Sequence, residues 1–152
     1  GDRKKNIKLA KFQLEKYKIK IIKSSKNYES LSWPNIKKPK FINVVLKVKT
    51  NLSPLNLMKK CLYIEKHLGR IRNKKNEPRT CDIDIIDYDN KIYKRTKIIS
   101  LNIPHPKMHK RNFVLLPLFE IAHNWIHPIK KISIKELINS LDRNNLRGIK
   151  HI

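Results

Sequence analysis

Hydrophobic and polar positions change period several times along the chain, and each change marks an element. Ile7, Ala10, Leu14 and Tyr17 recur at helical spacing, which predicts an amphipathic helix over residues 2–17 with a lysine-rich outer face and Asp2 as its cap. "KIKIIKSSKNYES" reads as a strand running into a polar turn, and "SLSWPNIKKP" as a loop ending at Pro39. Trp33 in that loop has no obvious place in a core.

"KFINVVLKVKT" alternates. Ile42, Val44, Leu46 and Val48 fall on one side, the expected core face, and Phe41, Asn43, Val45 and Lys47 on the other. Phe41 and Asn43 therefore project together, where a ring and an amide could meet a flat ligand or form half of an ordinary covered face. Ser53 and Pro54 open a second helix that runs to about Gly69. Met58, Cys61, Leu62 and Leu68 are its expected inner face, with Glu65 in line. An inward carboxylate needs a partner, and Arg70 or Arg72 could supply a structural salt bridge.

The stretch "PRTCDIDIIDYDN" is a strand with Cys81, Ile83 and Ile85 on one side and Asp82, Asp84 and Ile86 on the other. "YDNKI" predicts a hairpin turn into a second strand around residues 91–99, which explains Asp89 and Asn90, with Asp87 at a strand end. A Pro-flanked extended segment and an apolar helical one follow over 101–122. The capping box "SIKE" opens a last short helix at Ser133. The order helix, strand, strand, helix, strand becomes the ferredoxin-like βαββαβ core once a first, central strand is placed before it. The fold class expected is α+β, with an added hairpin and C-terminal helices. The chain opens on Gly1 at a helix start, so it reads as one domain over 1–152 that lacks its N-terminal strand. The Asp82 strand would then be short of a pairing partner and the chain poorly stable, so residues 81–86 are expected to gain protection from hydrogen exchange when an N-terminal strand is added.

Composition adds a partner class. The chain has 36 Lys and Arg against 12 Asp and Glu, a formal net charge of +24, which suits a polyanion. The lysines spread over every segment instead of forming a stripe, and Lys, Asn and Ile abundance is also a compositional bias. A basic ferredoxin-like module binding nucleic acid is thus the alternative reading. Cys61 and Cys81 have neither zinc-type nor disulfide-type spacing and are expected as core thiols in a reducing cytoplasm. No stretch reaches the length of a membrane span.

Against that positive background, four of the 12 acidic residues fall within residues 78–90. Asp82 and Asp84, about 7 Å apart on one side of a strand, require a cation. Magnesium with substrate phosphates suits such a pair, and so does a bridge to Arg70, Arg72 or Arg79. An EF-hand is excluded, because Ile86 stands at its third ligand position and Asp87 at its glycine. Arg70, Arg72 and Arg79, with His105, Lys107 and Arg111 downstream, suit phosphate oxygens and suggest a nucleoside triphosphate site. No GxxxxGK[ST] loop is present and there are three glycines, so the cradle is not a P-loop.

"GRIR", "PRTCDIDII" and "IPHPKMHKRNFVLLPLFEIA", preceded by "YES", "FINVV", "SPLNL" and "IE", occur in an order that resembles the 6-hydroxymethyl-7,8-dihydropterin pyrophosphokinase family. The resemblance covers nearly the whole chain, and "GDR" at the start is similar to the end of that family's first turn. It implies transfer of diphosphate from ATP to the pterin hydroxymethyl group, releasing AMP, in folate biosynthesis. It further implies two Mg²⁺ ions on Asp82 and Asp84, and catalytic roles for Arg70, Arg79, Asp82 and Asp84. ATP contacts would come from Glu65, Arg70, Arg72, Arg79, His105 and Arg111, and pterin contacts from Ser30, Leu31, Phe41, Asn43 and Phe113. The implied protein is a cytoplasmic monomer. One departure is Lys75, Asn76 and Glu77, where many members carry a tryptophan that closes over the pterin; Trp33 could compensate.

Overall fold

In a computed structural model, residues 3–30, 41–71, 81–142, 146 and 148–152 are described, with the side chains of residues 70 and 71 excepted. Four α-helices and five β-strands are defined among them: α1 (Arg3–Lys16), β1 (Lys20–Ser24), β2 (Tyr28–Ser30), β3 (Phe41–Asn43), β4 (Leu46–Lys49), α2 (Pro54–Ile71), α3 (Asn112–Ile121), α4 (Ile134–Asn139) and β5 (Ile149–His151). The class is α+β. β1 pairs antiparallel with β4, while β2 lies between β3 and β5, antiparallel to both.

The expected single strand before the loop is two. Ser25 interrupts the ladder: its N–H donates to the Val45 carbonyl at 2.9 Å, and its hydroxyl accepts from the Val45 N–H at 3.0 Å. A side chain thereby takes over a backbone acceptor, and pairing resumes at Tyr28. The same break divides the alternating run at Val44 and Val45. Leu46 and Val48 pack on a first core cluster, as expected, but Val45, between β3 and β4, packs on a second.

The first cluster joins Ala10, Leu14 and Ile19 to Leu57, Cys61, Ile64 and Leu68 of α2. The α2 stripe is therefore 57, 61, 64, 68, and the expected inner position Leu62 is 47% exposed while Ile64 is 0%. Met58 is half-buried. Leu57 and Ile64 keep the 3.6-residue period through Cys61 and Leu68, whereas Leu62 lies a further 100° around the helix. On α1, Ala10 and Leu14 are buried, but Ile7 and Tyr17 are half-buried and Asn6 and Gln13 take the inner places. The Ser53 cap is present, accepting from the Asn56 N–H at 3.2 Å, and so is the Ser133 cap, accepting from the Glu136 N–H at 3.2 Å. The second cluster is built from α3 and α4 around Met108.

Residues 81–87 belong to neither sheet and form an extended segment between the two clusters. Beyond it, Asp89 and Asn90 both take positive φ, 50° and 57°, which is the hairpin-turn geometry expected of Asp-Asn. The second strand expected over 91–99 is reduced to one bridge, Tyr93 to Ile103. Most side chains from 91 to 100 are exposed, so no apolar face fixes a longer register. β5 was not expected from the pattern; "IKH" is too short to show a period.

On the outer side of β1 and β4, Lys20 faces Lys49 and Lys23 faces Lys47. Like charges directly opposite each other destabilise a strand pair. Replacing Lys47→Glu is expected to raise stability by about 0.5 kcal/mol, read as a higher urea midpoint at low salt that converges with the wild type at high salt. A lower midpoint at every salt concentration contradicts this.

Candidate active site

The alternation of residues 81–86 survives without a sheet. Cys81, Ile83 and Ile85 pack on the first cluster, Ile86 packs on the second, and Asp82 and Asp84 are exposed. Two hydrogen bonds hold the segment. The N–H of Ile83, between the two aspartates, donates to Glu65 Oε1 at 2.6 Å, and the His105 N–H donates to the Ile86 carbonyl at 3.0 Å. α2 thus braces the acidic segment from below through Glu65. The bridge from Glu65 to Arg70 or Arg72 that the sequence suggested falls on side chains outside the described residues. The side chain of Arg70, and Arg72, Arg79, Leu31, Trp33 and Asn76 entirely, lie outside the described residues.

Cys61 and Cys81 are free thiols, each pushed up to about 11, by burial first and then by the carboxylates of Glu65 and Asp84, joined at Cys81 by Asp82. They remain protonated and turned to the core, as expected of inert thiols. Asp87 and Trp125 are a less comfortable pair. Asp87 Oδ2 accepts from the Asn90 N–H at 3.2 Å, serving the turn, but Oδ1 and the Trp125 indole N–H are buried without a hydrogen bond. Burial raises the Asp87 carboxyl most, with Asp89 adding to it; the Asn90 N–H and then the neighbouring Trp125 indole partly offset this.

His105 and Arg111 flank the acidic segment. Half-buried His105 has its pKa lowered by desolvation, with Arg111 and Lys107 adding to the effect and Asp84 opposing it. Asp84, Lys107 and Arg111 are thus within electrostatic range of one imidazole. His105 Nδ1 accepts from the Lys107 N–H at 3.2 Å. The ring is therefore the neutral tautomer with its hydrogen on Nε2, a donor suited to a phosphate oxygen. The Arg111 guanidinium lies 5.4 Å from the centroid of the Phe113 ring.

His109 and His127 also have lowered pKa values, by burial and by Lys130, and His127 Nδ1 accepts from the N–H groups of Ile129 and Lys130. A histidine whose folded pKa is depressed binds its proton more readily when unfolded. Its stabilising contribution is present above the unfolded value near 6.5 and is lost as pH falls through and below it. The urea midpoint is expected to fall between pH 7.5 and 5.5, and to fall less in His127→Asn, whose side-chain oxygen can accept without titrating. Equal midpoints at both pH values would contradict this.

The remaining expected contacts meet on one sheet face. Directly paired residues point the same way in an antiparallel ladder. Phe41 is paired with Ser30 and Asn43 with Tyr28, so Ser30, Phe41, Asn43 and Tyr28 share a face. α3 meets that face, since the Tyr28 hydroxyl donates to Glu120 Oε1 at 2.8 Å. Phe113, in the first turn of α3, is half-buried against the second cluster, while Phe41 is 59% exposed. One aromatic ring thus lies on the strand and another in the first turn of the helix that meets it through Glu120.

Among the described residues no group of three or more His, Cys, Asp or Glu side chains could hold a metal alone. Two exposed carboxylates fit instead an oxygen-ligated cation that shares its shell with water and a substrate phosphate, as magnesium does. No described helix is long and apolar enough to cross a membrane.

An exposed acidic pair with a histidine and an arginine nearby is a set of groups suited to holding a nucleotide's phosphates through a divalent cation, as enzymes of phosphoryl transfer do. A family model described as 7,8-dihydro-6-hydroxymethylpterin-pyrophosphokinase matches residues 1–123. A 2-amino-4-hydroxy-6-hydroxymethyldihydropteridine pyrophosphokinase of Aquifex aeolicus is 43% identical over 136 residues, covering 90% of this chain and 82% of that one. The protein of the same name in Haemophilus influenzae is 39% identical, covering 78% of this chain and 71% of its own. A folic acid synthesis protein, FOL1, of Dictyostelium discoideum is 39% identical over 98% of this chain, which spans only 22% of that protein's length. The chain belongs to the 7,8-dihydro-6-hydroxymethylpterin-pyrophosphokinase family. The matched region stops before α4 and β5, which complete the second core cluster and the β2 sheet.

Proposed function

We propose that the chain transfers the terminal diphosphate of ATP to the hydroxymethyl oxygen of 6-hydroxymethyl-7,8-dihydropterin and releases AMP, a step of folate biosynthesis. The observation that carries this reading is the exposed Asp82 and Asp84 pair on a segment tied by Glu65 and by the His105 N–H; the ladder of Ser30, Phe41 and Asn43 is proposed as the acceptor side. The ferredoxin-like arrangement belongs to the same reading: α1 and α2 pack together with β4 in one cluster, in the chain order that arrangement requires.

Asp82 and Asp84 would hold Mg²⁺, expected as two ions, which neutralises the triphosphate and polarises the attacked phosphorus. His105 donates from Nε2 to a phosphate oxygen. Arg111 leaves the Phe113 ring for the phosphates, where its planar fork gains more than from the ring alone. Arg70, Arg72 and Arg79 are proposed to steady the remaining charge. Phe41 and Phe113 stack on the pterin, Asn43 pairs with its amide edge, and Ser30 and Leu31 line the pocket. The contribution of these groups is alignment of the hydroxymethyl oxygen with the β-phosphorus and exclusion of water. The nucleic-acid reading gains less, because Phe41 is the one exposed ring among Ser30, Tyr28, Phe41 and Asn43 on that face, whereas such modules stack two or three bases on sheet aromatics.

Phosphorus NMR of the chain with Mg-ATP and the pterin is expected to show AMP and a pterin diphosphate ester in equal amounts. ADP with a pterin monophosphate, or no turnover by folded protein, would overturn the proposal.

A further inference from the structure

Glu120 lies outside the expected site residues, yet both of its carboxylate oxygens are engaged by groups more than 90 residues away in the chain. Oε2 accepts from the Lys26 N–H at 2.8 Å, and Oε1 accepts from the Tyr28 hydroxyl at 2.8 Å. Its position on α3 is unfavourable on helix grounds, because it lies in the last turn, where the macrodipole is negative and no basic residue is present. Tertiary partners therefore hold this carboxylate where it is.

We infer that Glu120 is a positioning residue for the acceptor side of the site, tying the helix that carries Phe113 to the strand that sets Ser30, Phe41 and Asn43. This rests on the function proposed above. Tyr28 is the direct ladder partner of Asn43, and Ser30 is the partner of Phe41, so fixing Tyr28 fixes the strand pair from which both contacts project. Phe113 and Glu120 are seven residues apart, two turns along the same side of α3. Pro117 lies between them inside the helix and cannot donate to the Phe113 carbonyl, so the internal ladder is interrupted and the helix depends on outside ties for its course. Burial and the neighbouring Glu120 push the Tyr28 hydroxyl up to about 12, which keeps it a donor at any working pH.

Two variants separate this role from general folding. Glu120→Gln sets an amide against one of the two donors, and Tyr28→Phe removes only the hydroxyl and keeps the buried ring. Each is expected to raise KM for the pterin about tenfold while KM for ATP and kcat stay within about threefold, the size expected for losing one hydrogen bond to a charged group. The double variant should be no worse than about twofold beyond Glu120→Gln alone, because the two side chains share one interaction. Calorimetric titration with the pterin in the presence of a non-hydrolysable ATP analogue should show the same loss. Unchanged pterin KM in both single variants overturns the inference, as does a parallel loss for ATP, pterin and thermal stability. An inactive wild type that also fails to bind the pterin overturns the proposed function, and this inference with it; an active wild type with unaltered variants overturns this inference alone.

Discussion

Asp82→Ala and Asp84→Ala are each expected to lower kcat/KM by about 1,000-fold or more, since a bound cation contributes several kcal/mol of charge stabilisation and each 1.36 kcal/mol is a factor of ten. Folding should not suffer. Both side chains are exposed, and the segment's backbone is tied by Glu65 at Ile83 and by His105 at Ile86. The chain carries +24 formal charge, so losing a carboxylate adds to its self-repulsion, but the two aspartates also repel each other in the absence of a cation. Steady-state kinetics over a range of magnesium concentrations, with urea denaturation of the same samples, separates the terms. More than a tenth of wild-type activity at saturating magnesium would exclude Asp82 and Asp84 as the metal platform.

The second large effect is expected at the aromatic pair. Phe41→Ala and Phe113→Ala should each raise KM for the pterin by roughly 10- to 100-fold, taking base–aromatic stacking of about 1–3 kcal/mol as the guide for a flat bicyclic ring. KM for ATP should change little in Phe41→Ala. The two differ in their structural cost. Phe41 is 59% exposed and its truncation should leave stability unchanged, whereas Phe113 packs on the second cluster and its loss should destabilise by about 1–3 kcal/mol. Fluorescence titration with the pterin reads the binding term directly, and equal pterin affinity in wild type and Phe41→Ala would remove Phe41 from the slot.

Those residues were legible because their patterns are local. Alternation placed Asp82 and Asp84 on the side away from Cys81, Ile83 and Ile85, and the structure keeps that division although no strand partner holds it. Ser53 and Ser133 cap the helices that their spacing marked. Phe41 and Asn43 share a face because a strand has period two, whatever covers it. Tertiary choices were not legible. Nothing local says that Ser25 replaces a ladder acceptor, that the α2 stripe runs through Ile64 instead of Leu62, or that Glu65 accepts from Ile83. Glu120 was visible only as one letter in "LFEIA", and its partners at Lys26 and Tyr28 are set by packing across more than 90 residues. "IKH" gives no periodicity, so β5 depends on β2 being available to pair with it.

The most direct test of the site as a whole is a crystal structure of the chain with a non-hydrolysable ATP analogue, 6-hydroxymethyl-7,8-dihydropterin and Mn²⁺ in place of Mg²⁺, with the metal located by its anomalous signal. Anomalous peaks within bonding distance of Asp82 and Asp84, with the pterin ring between Phe41 and Phe113, are the expected result. Metal peaks remote from both carboxylates, or a pterin seated away from the Ser30, Phe41 and Asn43 ladder, would contradict it.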